Sequence, residues 1–596
     1  MSLRSHPAVP DCRSSETRTI SVASIARLLG HHLKHHIGVG IICAVAYFDP
    51  GNWSVDMQAG ANFGYRPMLF IVLLSGCGAI LLQTLAIRLG CVTGLDLASH
   101  CRLLFHNHPT HPRLVRRAIL YPLYVCAEIA IISTDLAELL GSAIGLCLIF
   151  PRLPLYAGVL LTATDIFIFL FFADPSRGHG RPVRVFEAII IILVLTVLCC
   201  FIVLLVKVKA HWPSVFLGYI PSKDLFHSKP NAIYSAIGIL GATIMPHALF
   251  LGSFLSTQDR VSLKTPSQEP LPTCSTDHQT FGDRLKRRFK QLFSVSRAER
   301  IAASRAYRTE YGERENNSLS FIRQHLNHAI TDVVTSLLGF AIPINSAILI
   351  LAATVYHNRH PLQETVGLFD AHDLIKRNIG SGSALVYAFA LVCTGQAASV
   401  TATLAGQVVS EGFLDWRMSP FLRRLVTRLI SLIPSVAVSV SVGRDGVDTL
   451  LVISQVILSV ALPFIAFPLI YLTSSAMVMR VVELSDRPST FSEANEKQEL
   501  HCEHRSQITP TDSPAATPMQ ATGSEGVHME LPPSELHPTM AVIGDVREVT
   551  APSFHEGLEY VDFSNSRCVA GIAYAVWAVI VTANCYALIM LFMGRE

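Results

Sequence analysis

Long apolar runs alternate with short polar connections along most of this 596-residue chain. The typical run is about 18 to 25 residues long, the length that an α-helix needs to cross about 30 Å of hydrocarbon. Eleven such runs can be counted, at residues 37–61, 67–88, 118–149, 155–173, 184–206, 232–257, 327–355, 383–411, 421–442, 448–478 and 568–593. The pattern predicts an all-α membrane protein with eleven transmembrane helices.

Two of these runs, the first and the sixth, are interrupted by a proline that stands beside polar residues. Asp49-Pro-Gly-Asn52 lies inside the first run, and Gly241-Ala-Thr-Ile-Met-Pro-His247 lies inside the sixth. A carboxylate and an amide are costly in hydrocarbon unless something binds them, and Pro and Gly interrupt the helix there. Matching breaks five helices apart predict two inverted repeats, helices 1–5 and 6–10, with helices 1 and 6 unwound at a midplane site.

The two interruptions supply candidate metal ligands. Pro246 has no amide hydrogen, so the Ala242 carbonyl loses its helical partner. Asp49 and Asn52 are three residues apart and can face one point, and the same spacing separates Ala242 from Met245. Oxygen ligands alone suit Mg²⁺ or Ca²⁺, whereas a Met sulfur shifts the preference toward Mn²⁺, Fe²⁺ and heavier metals such as Cd²⁺. The alternative is a proline kink beside a core Met, since Pro is tolerated in membrane helices.

The third run carries three acidic residues, Glu128, Asp135 and Glu138. Their spacings of seven and three place them on one stripe of a helix. Acids on an intramembrane stripe, held neutral or paired with Arg, predict a polar path along which protons pass. The alternative is a purely structural network between these acids and an arginine.

Composition and charge agree with a polytopic membrane protein. Hydrophobic residues make up 51% of the chain and charged residues 15%, against about 25% charged in an average soluble domain. The net charge of +3 is near balance, and the basic residues collect in particular loops, so no nucleic-acid partner is predicted. The alternation of Arg-rich and Arg-poor loops predicts a cytosolic amino terminus. The 14 Cys residues show no paired metal-ligand spacing and are interpreted mostly as small buried hydrophobes.

Two long connections differ in composition from the rest of the chain. Residues 258–326 are polar and basic, and residues 481–566 are rich in Ser, Thr, Pro and Glu. We expect both to be cytosolic and largely disordered, and regulatory partners are expected there if anywhere. The predicted organisation begins with a cytosolic segment (1–36), the first repeat with helix 6 (37–257) and the basic loop (258–326). Helices 7–10 (327–480), the second loop (481–566) and helix 11 with the carboxyl terminus (567–596) follow.

At these residues the chain resembles the Nramp family of proton-coupled divalent metal transporters, in a form similar to the fungal members. The likeness covers most of the membrane domain and rests on four stretches, Asp49-Pro-Gly-Asn-Trp-Ser-Val-Asp56, Ala242 to His247, Ile344 to Ala353 and Gly395 to Phe413. The resemblance implies a LeuT-like fold. It also implies a metal site, joined by a glutamine of the tenth helix in occluded states, made of Asp49, Asn52, the Ala242 carbonyl, Met245 and Gln455.

The resemblance further implies a proton route along the acidic stripe. Besides Glu128, Asp135 and Glu138, this route would use His247 and a basic group of the ninth helix. The closest counterpart of that basic group is Arg428, with Arg424 as the second choice. One position departs from the common family pattern: Gly252 stands where many members carry a second histidine, which puts in doubt any mechanism that needs two imidazoles in helix 6.

The function that the resemblance implies is symport with protons. Mn²⁺ and Fe²⁺, and also Cd²⁺ and Co²⁺, would move toward the cytosol by alternating access in a protein that is not an enzyme and needs no cofactor. Its partners would be the metal ions, protons and the lipid bilayer. The plasma membrane, endosome and vacuole all fit, because no address signal stands out. The alternative is a metal-sensing receptor that signals through its cytosolic segments, and the intact ligand set argues against it.

Overall fold

The computed structural model describes residues 38–164, 181–227, 232–259, 316–357, 366–415, 420–483 and 559–593. The described residues up to 481, together with those from 561 onward, form one compact unit. Of a second unit, residues 482–560, the structure describes only the ends of two short strands. Most of the segments predicted to be disordered, and the predicted cytosolic segment 1–36, lie outside the described residues.

The regular elements in the described part of the first half of the chain are all helices. A π-helical turn, Arg116–Leu120, joins α5 to α6. The helices are α1 (Val39–Val45), α2 (Pro50–Phe63), α3 (Met68–Thr93), α4 (Leu97–Phe105), α5 (Pro112–Val115), α6 (Tyr121–Ile149), α7 (Leu155–Ala163), α8 (Arg181–Val208), α9 (Trp212–Gly218), α10 (Asp224–His227), α11 (Ala232–Thr243) and α12 (Pro246–Leu255).

The second half repeats this character and adds two short paired strands. A second π-helical turn, Leu337–Ala341, joins α13 to α14. The elements are α13 (Leu319–Ser336), α14 (Ile342–Val355), α15 (Leu368–Asn378), α16 (Ser381–Leu414), α17 (Pro420–Ser441), α18 (Arg444–Thr473), α19 (Ala476–Met479), β1 (Arg480–Glu483), β2 (Glu559–Asp562) and α20 (Arg567–Phe592).

The predicted fold class is confirmed in its main features. The first apolar run is split into α1 and α2 and the sixth into α11 and α12, so both predicted interruptions are present. Helices broken at these two places are the mark of the LeuT-like fold that the resemblance implied. Among the described residues, nine helices are long and apolar enough to cross a membrane. The total of eleven spans stays a prediction, because the first run is two short helices and the fourth is described only to Thr164.

The boundaries of the seventh and tenth spans were wrong. The predicted disordered loop extends to residue 326, but α13 begins at Leu319, where the Ser318 hydroxyl caps it by accepting the amide of Phe321 at 3.4 Å. The side chain of Ile322 is fully buried in the core. The tenth span begins at Arg444 and not at 448. Both errors concern polar first turns of helices, which a hydropathy pattern does not detect.

The core lies between the third and eighth spans, α6 and α16, whose mutual contact is the most extensive between any two described helices. Both helices also contact α2, and α6 contacts α18, so they form the wall behind the interrupted helices. The short α15 caps the bundle next to α16, where Leu368 donates its amide to Asp448 of α18 at 3.2 Å. The interrupted helices therefore lie inside a packed scaffold.

Candidate metal site

The first interruption is a turn closed by Asp49. Helix α1 ends at Val45, and Asp49 occupies the cap position of α2 with Pro50 in the first helical turn. The backbone amide of Asn52 donates to Oδ1 of Asp49 at 3.0 Å, a standard helix cap. The Asp49 carboxylate is 1% exposed although it lies between two apolar helices. The sequence thus buries an acid at a helix amino terminus, where the helix dipole stabilises its negative charge.

The second interruption contains a carbonyl without a helical donor and, three residues later, a buried thioether. Helix α11 ends at Thr243 and α12 begins at Pro246, with Met245 extended between them (φ −81°, ψ 119°). Pro246 offers no amide hydrogen, and no hydrogen bond to the Ala242 carbonyl occurs within the part of the chain that the structure describes. Ala242 and Met245 are 1% and 0% exposed. Helix α11 packs against α2 and α18, so the two interruptions lie on adjoining helices.

Gln455 of α18 joins the first interruption. Its Nε2 donates to Oδ2 of Asp49 at 3.3 Å. The close approach is possible because residue 51 is glycine: a Cβ at Gly51 would lie 1.7 Å from Nε2 of Gln455. The structure therefore places Asp49, Asn52 and Gln455 together.

Several polar atoms at this site have no partner. Among the described residues, Oδ1 and Nδ2 of Asn52 and Oε1 of Gln455 are buried and make no hydrogen bond. Buried polar groups in native proteins are almost always paired, so such exceptions need an explanation. Oxygens from a carboxylate, two amides and a carbonyl, with one sulfur, form a donor set that suits a divalent cation of intermediate softness. No cluster of three His, Cys, Asp or Glu side chains fit for a metal occurs in the described ranges.

The acidic stripe on α6 is paired with arginines of the ninth span, α17. Arg428 donates to Oδ1 of Asp135 at 2.8 Å, and Ser431 donates to Oδ2 of the same carboxylate. Arg428 also donates to the Ser399 hydroxyl of α16 at 2.6 Å. The Asp135 side chain thus has donors at both oxygens.

Glu128 has a different partner from the one expected for the stripe. Both of its oxygens accept from Nη2 of Arg423 at 2.7 Å. Sequence reasoning considered Arg428 and Arg424 and missed Arg423. The signal was available, because the third and ninth spans run parallel, so a partner for Glu128 lies before Arg428 in sequence. Arg424 donates instead to the Ser399 carbonyl at 3.4 Å and to the Thr403 hydroxyl.

Glu138 lies at the other end of the stripe, and His247 contacts the same helix at Thr134. Glu138 is fully buried, and neither carboxylate oxygen has a hydrogen-bond partner in the described ranges. Nδ1 of His247 lies 3.3 Å from the Thr134 hydroxyl of α6, while its Nε2 is without a partner among the same residues. Thr134, which sequence reasoning also missed, therefore connects the histidine of α12 to the helix that carries the acids.

Gly252 has no room for a side chain. A Cβ there would lie 1.8 Å from Nε2 of Gln83, which is fully buried on α3. Gln83 donates to the Ala248 carbonyl at 3.2 Å and accepts from the Tyr47 hydroxyl at 2.9 Å. In the place of a second imidazole, the chain has an amide that joins α12 to the residue two positions before Asp49.

Comparison with known proteins gives one consistent result. Residues 40–491 match the model of the Nramp family, described as natural resistance-associated macrophage protein-like. The chain is 39% identical over 458 residues to the manganese transporter pdt1 of Schizosaccharomyces pombe, covering 76% of this chain and 77% of that protein. It is 33% identical over 561 residues to the iron transporter SMF3 of Saccharomyces cerevisiae, covering 94% and 96%.

A solved structure agrees with the fold. A crystal structure of a variant of the Eremococcus coleocola manganese transporter is similar with a TM-score of 0.58 and 26% identity, covering 82% of this chain and 86% of that chain. The relatives are named as metal transporters, a class that is not enzymatic.

Proposed function

Because the chain belongs to the Nramp family of divalent metal transporters, we propose that it is a symporter that moves Mn²⁺ and Fe²⁺ together with protons toward the cytosol. The observation that carries the proposal is the set of unpaired buried polar atoms around Asp49. In hydrocarbon such atoms are stable only if they bind something. A transported cation satisfies them for part of each cycle.

The proposed metal ligands divide the work by chemistry. Asp49 supplies the negative charge, and Asn52 and the Ala242 carbonyl supply neutral oxygens that replace water around the ion. Met245 supplies a sulfur that binds Mn²⁺, Fe²⁺, Cd²⁺ and Co²⁺ better than Ca²⁺ or Mg²⁺. Gln455, already hydrogen-bonded to Asp49, turns its free Oε1 toward the ion when the site closes.

The proposed proton route starts beside the metal site. Glu138 and His247 each keep a buried polar atom unpaired in the described ranges, so each has a place for a proton. Thr134 lies between His247 and the acidic helix. Asp135 with Arg428 and Glu128 with Arg423 then continue the polar path along α6. Movement of the first span (α1 and α2) and the sixth span (α11 and α12) against the rest of the bundle would expose the site first to the outside and then to the cytosol.

The remaining proposals concern orientation and regulation. The loop charges favour a cytosolic amino terminus. The protein is proposed to reside in the plasma membrane or in an endosomal or vacuolar membrane. Regulatory partners are proposed for the loops at 258–326 and 481–566.

The function is tested by uptake of radioactive manganese into proteoliposomes that contain the purified chain. We expect saturable uptake that an inward proton gradient accelerates and that is accompanied by acidification of the lumen. Binding of Mn²⁺ without any uptake would overturn symport and favour the metal-sensing alternative. Uptake at the same rate with and without the proton gradient would refute proton coupling but not metal transport.

A further inference from the structure

Helix α18 contains a buried backbone carbonyl that its own helix cannot satisfy. Pro463 lies inside α18 and has no amide hydrogen, so the carbonyl of Ser459, four residues earlier, loses its helical donor. In the hydrocarbon region no water is present to replace that donor. Ser459 is 6% exposed. The sequence therefore requires a donor from another part of the protein.

Asn584 of α20 is that donor. Its Nδ2 donates to the Ser459 carbonyl at 2.7 Å, and its Oδ1 accepts from the Ser459 hydroxyl at 2.5 Å. A carbonyl only accepts, so the orientation of the amide is fixed by this pair of bonds. Asn584 is 7% exposed on a helix whose other side chains are mostly accessible. One polar residue on this apolar helix thus completes the tenth span.

Ser459 lies next to both halves of the proposed metal site. It follows Gln455 by four residues, one helical turn, and Gln455 donates to Asp49. Ser459 also packs directly on Gly241, where a Cβ would lie 2.2 Å from the Ser459 Cβ. Gly241 immediately precedes Ala242, whose carbonyl is a proposed ligand. A shift of Ser459 would therefore move Gln455 and Ala242 together.

We propose that Asn584 is a positioning residue for the metal site. By replacing the hydrogen bond that Pro463 removes, it fixes the position of α18 along its axis and its rotation at Ser459. This proposal rests on the proposed function. It gives α20 a role at the site although α20 contributes none of the ligands.

A second contact between the same helices provides a matched control. The Trp577 indole donates to the Pro463 carbonyl at 2.9 Å. That carbonyl has a donor in its own helix, because Phe467, four residues later, is not a proline. Loss of the Trp577 bond leaves no carbonyl without a partner, so Trp577→Phe removes a bond between α20 and α18 without the proposed consequence.

The test is a double-mutant cycle of Asn584→Leu and Pro463→Ala, with manganese uptake measured in proteoliposomes. Asn584→Leu should raise the KM for Mn²⁺ about tenfold, as expected when a buried acceptor loses the donor that replaced its helical one. Pro463→Ala restores an amide hydrogen to the helix, so the double variant should return to within about threefold of the unmodified KM. Trp577→Phe should stay within about twofold.

Three results would overturn the proposal. The first is an unchanged KM in Asn584→Leu, the second is a double variant no better than Asn584→Leu, and the third is a Trp577→Phe variant as impaired as Asn584→Leu. If Asn584→Leu does not fold, the double variant is the test. Restored folding and uptake support the proposal, because Pro463→Ala restores the hydrogen bond to the Ser459 carbonyl, and a double variant that also fails to fold contradicts it. Absence of uptake by the unmodified protein would contradict the proposed function instead, so the two failures are distinct.

Discussion

Two polar regions lie inside the helical bundle, around Asp49 and around Asp135, and their side chains are paired to different extents. Near Asp49, the side-chain amide of Asn52 and the side-chain oxygen of Gln455 have no hydrogen-bond partners among the described residues. Near Asp135, both carboxylate oxygens accept hydrogen bonds, from Arg428 and Ser431. One region keeps places open for a cation, whereas the other already holds its counter-charges.

The difference indicates different roles for similar residues. A carboxylate without a fixed cation can bind a mobile one, and its loss removes binding. A carboxylate in a buried ion pair contributes to the fold, and loss of its partner leaves a charge that hydrocarbon cannot solvate. Glu138 stands between the two cases, on the helix of the paired region but with both oxygens unpaired in the described ranges. This position suits a group that takes up and releases a proton.

The largest expected effect is on the open region. Asp49→Ala should reduce manganese uptake by more than about 100-fold, because it removes the one charged side chain among the proposed ligands. It also removes the cap of α2, which costs about 1 kcal/mol of stability and does not by itself abolish uptake. Asp445→Ala, at an exposed carboxylate at the start of α18, is the control and should leave uptake unchanged. Uptake would be measured at equal amounts of folded protein in the membrane. Normal uptake by Asp49→Ala would refute the site.

The second effect is on the paired region and should appear in stability. Arg428→Met leaves Asp135 buried without its counter-charge and should lower the free energy of unfolding by about 3–5 kcal/mol. The double variant Arg428→Met with Asp135→Leu should recover most of that loss, because an apolar pair replaces the ion pair. Thermal unfolding in detergent measures both. A single variant as stable as the unmodified protein would show that the pair is not structural.

The third effect concerns Gln455, which joins α18 to the open region. Gln455→Leu removes the hydrogen bond to Asp49 and a proposed ligand, and should weaken manganese binding about tenfold. Thr449→Ala is the control, because Thr449 is an exposed residue of the same helix whose hydroxyl donates to the Asp445 carbonyl at 2.9 Å. Isothermal titration of both variants with Mn²⁺ compares them. Equal affinities for the two variants would exclude Gln455 from the site.

The smallest effect is on selectivity. Met245→Ala should spare Mn²⁺ more than Cd²⁺, raising the KM for Cd²⁺ about fivefold more than that for Mn²⁺, and should relax the exclusion of Ca²⁺. Met68→Ala deletes an equally buried thioether on α3 and should change no selectivity. Competition of each metal against labelled manganese measures the ratios. A Met245→Ala variant with unchanged ratios would show that the thioether only packs.

The sequence predicted the open region better than the paired one for a physical reason. Pro50, Gly51 and Pro246 break their helices by local stereochemistry, so the breaks and the residues on them are visible in the chain itself. The partner of Glu128 depends on how α6 and α17 meet, and only the structure shows that it is Arg423. The role of Asn584 likewise depends on a proline of another helix. Local rules thus locate the candidate ligands, and tertiary packing decides the pairs.

The short helices between the spans were also missed, again for a physical reason. Helices α4 and α15, and the first turns of α13, are too short or too polar to register as spans. Their apolar residues lie on one face only, and a hydropathy average over about 19 residues removes that signal.

The central claim is that the unpaired atoms at the two interruptions bind the transported metal. The most direct measurement is the anomalous diffraction of Mn²⁺ in crystals of the protein grown with the metal. We predict one peak within coordination distance of the Asp49 carboxylate, the Asn52 amide oxygen, the Ala242 carbonyl and the Met245 sulfur. A peak beside Glu138 or Asp135 with none at Asp49 would contradict the account.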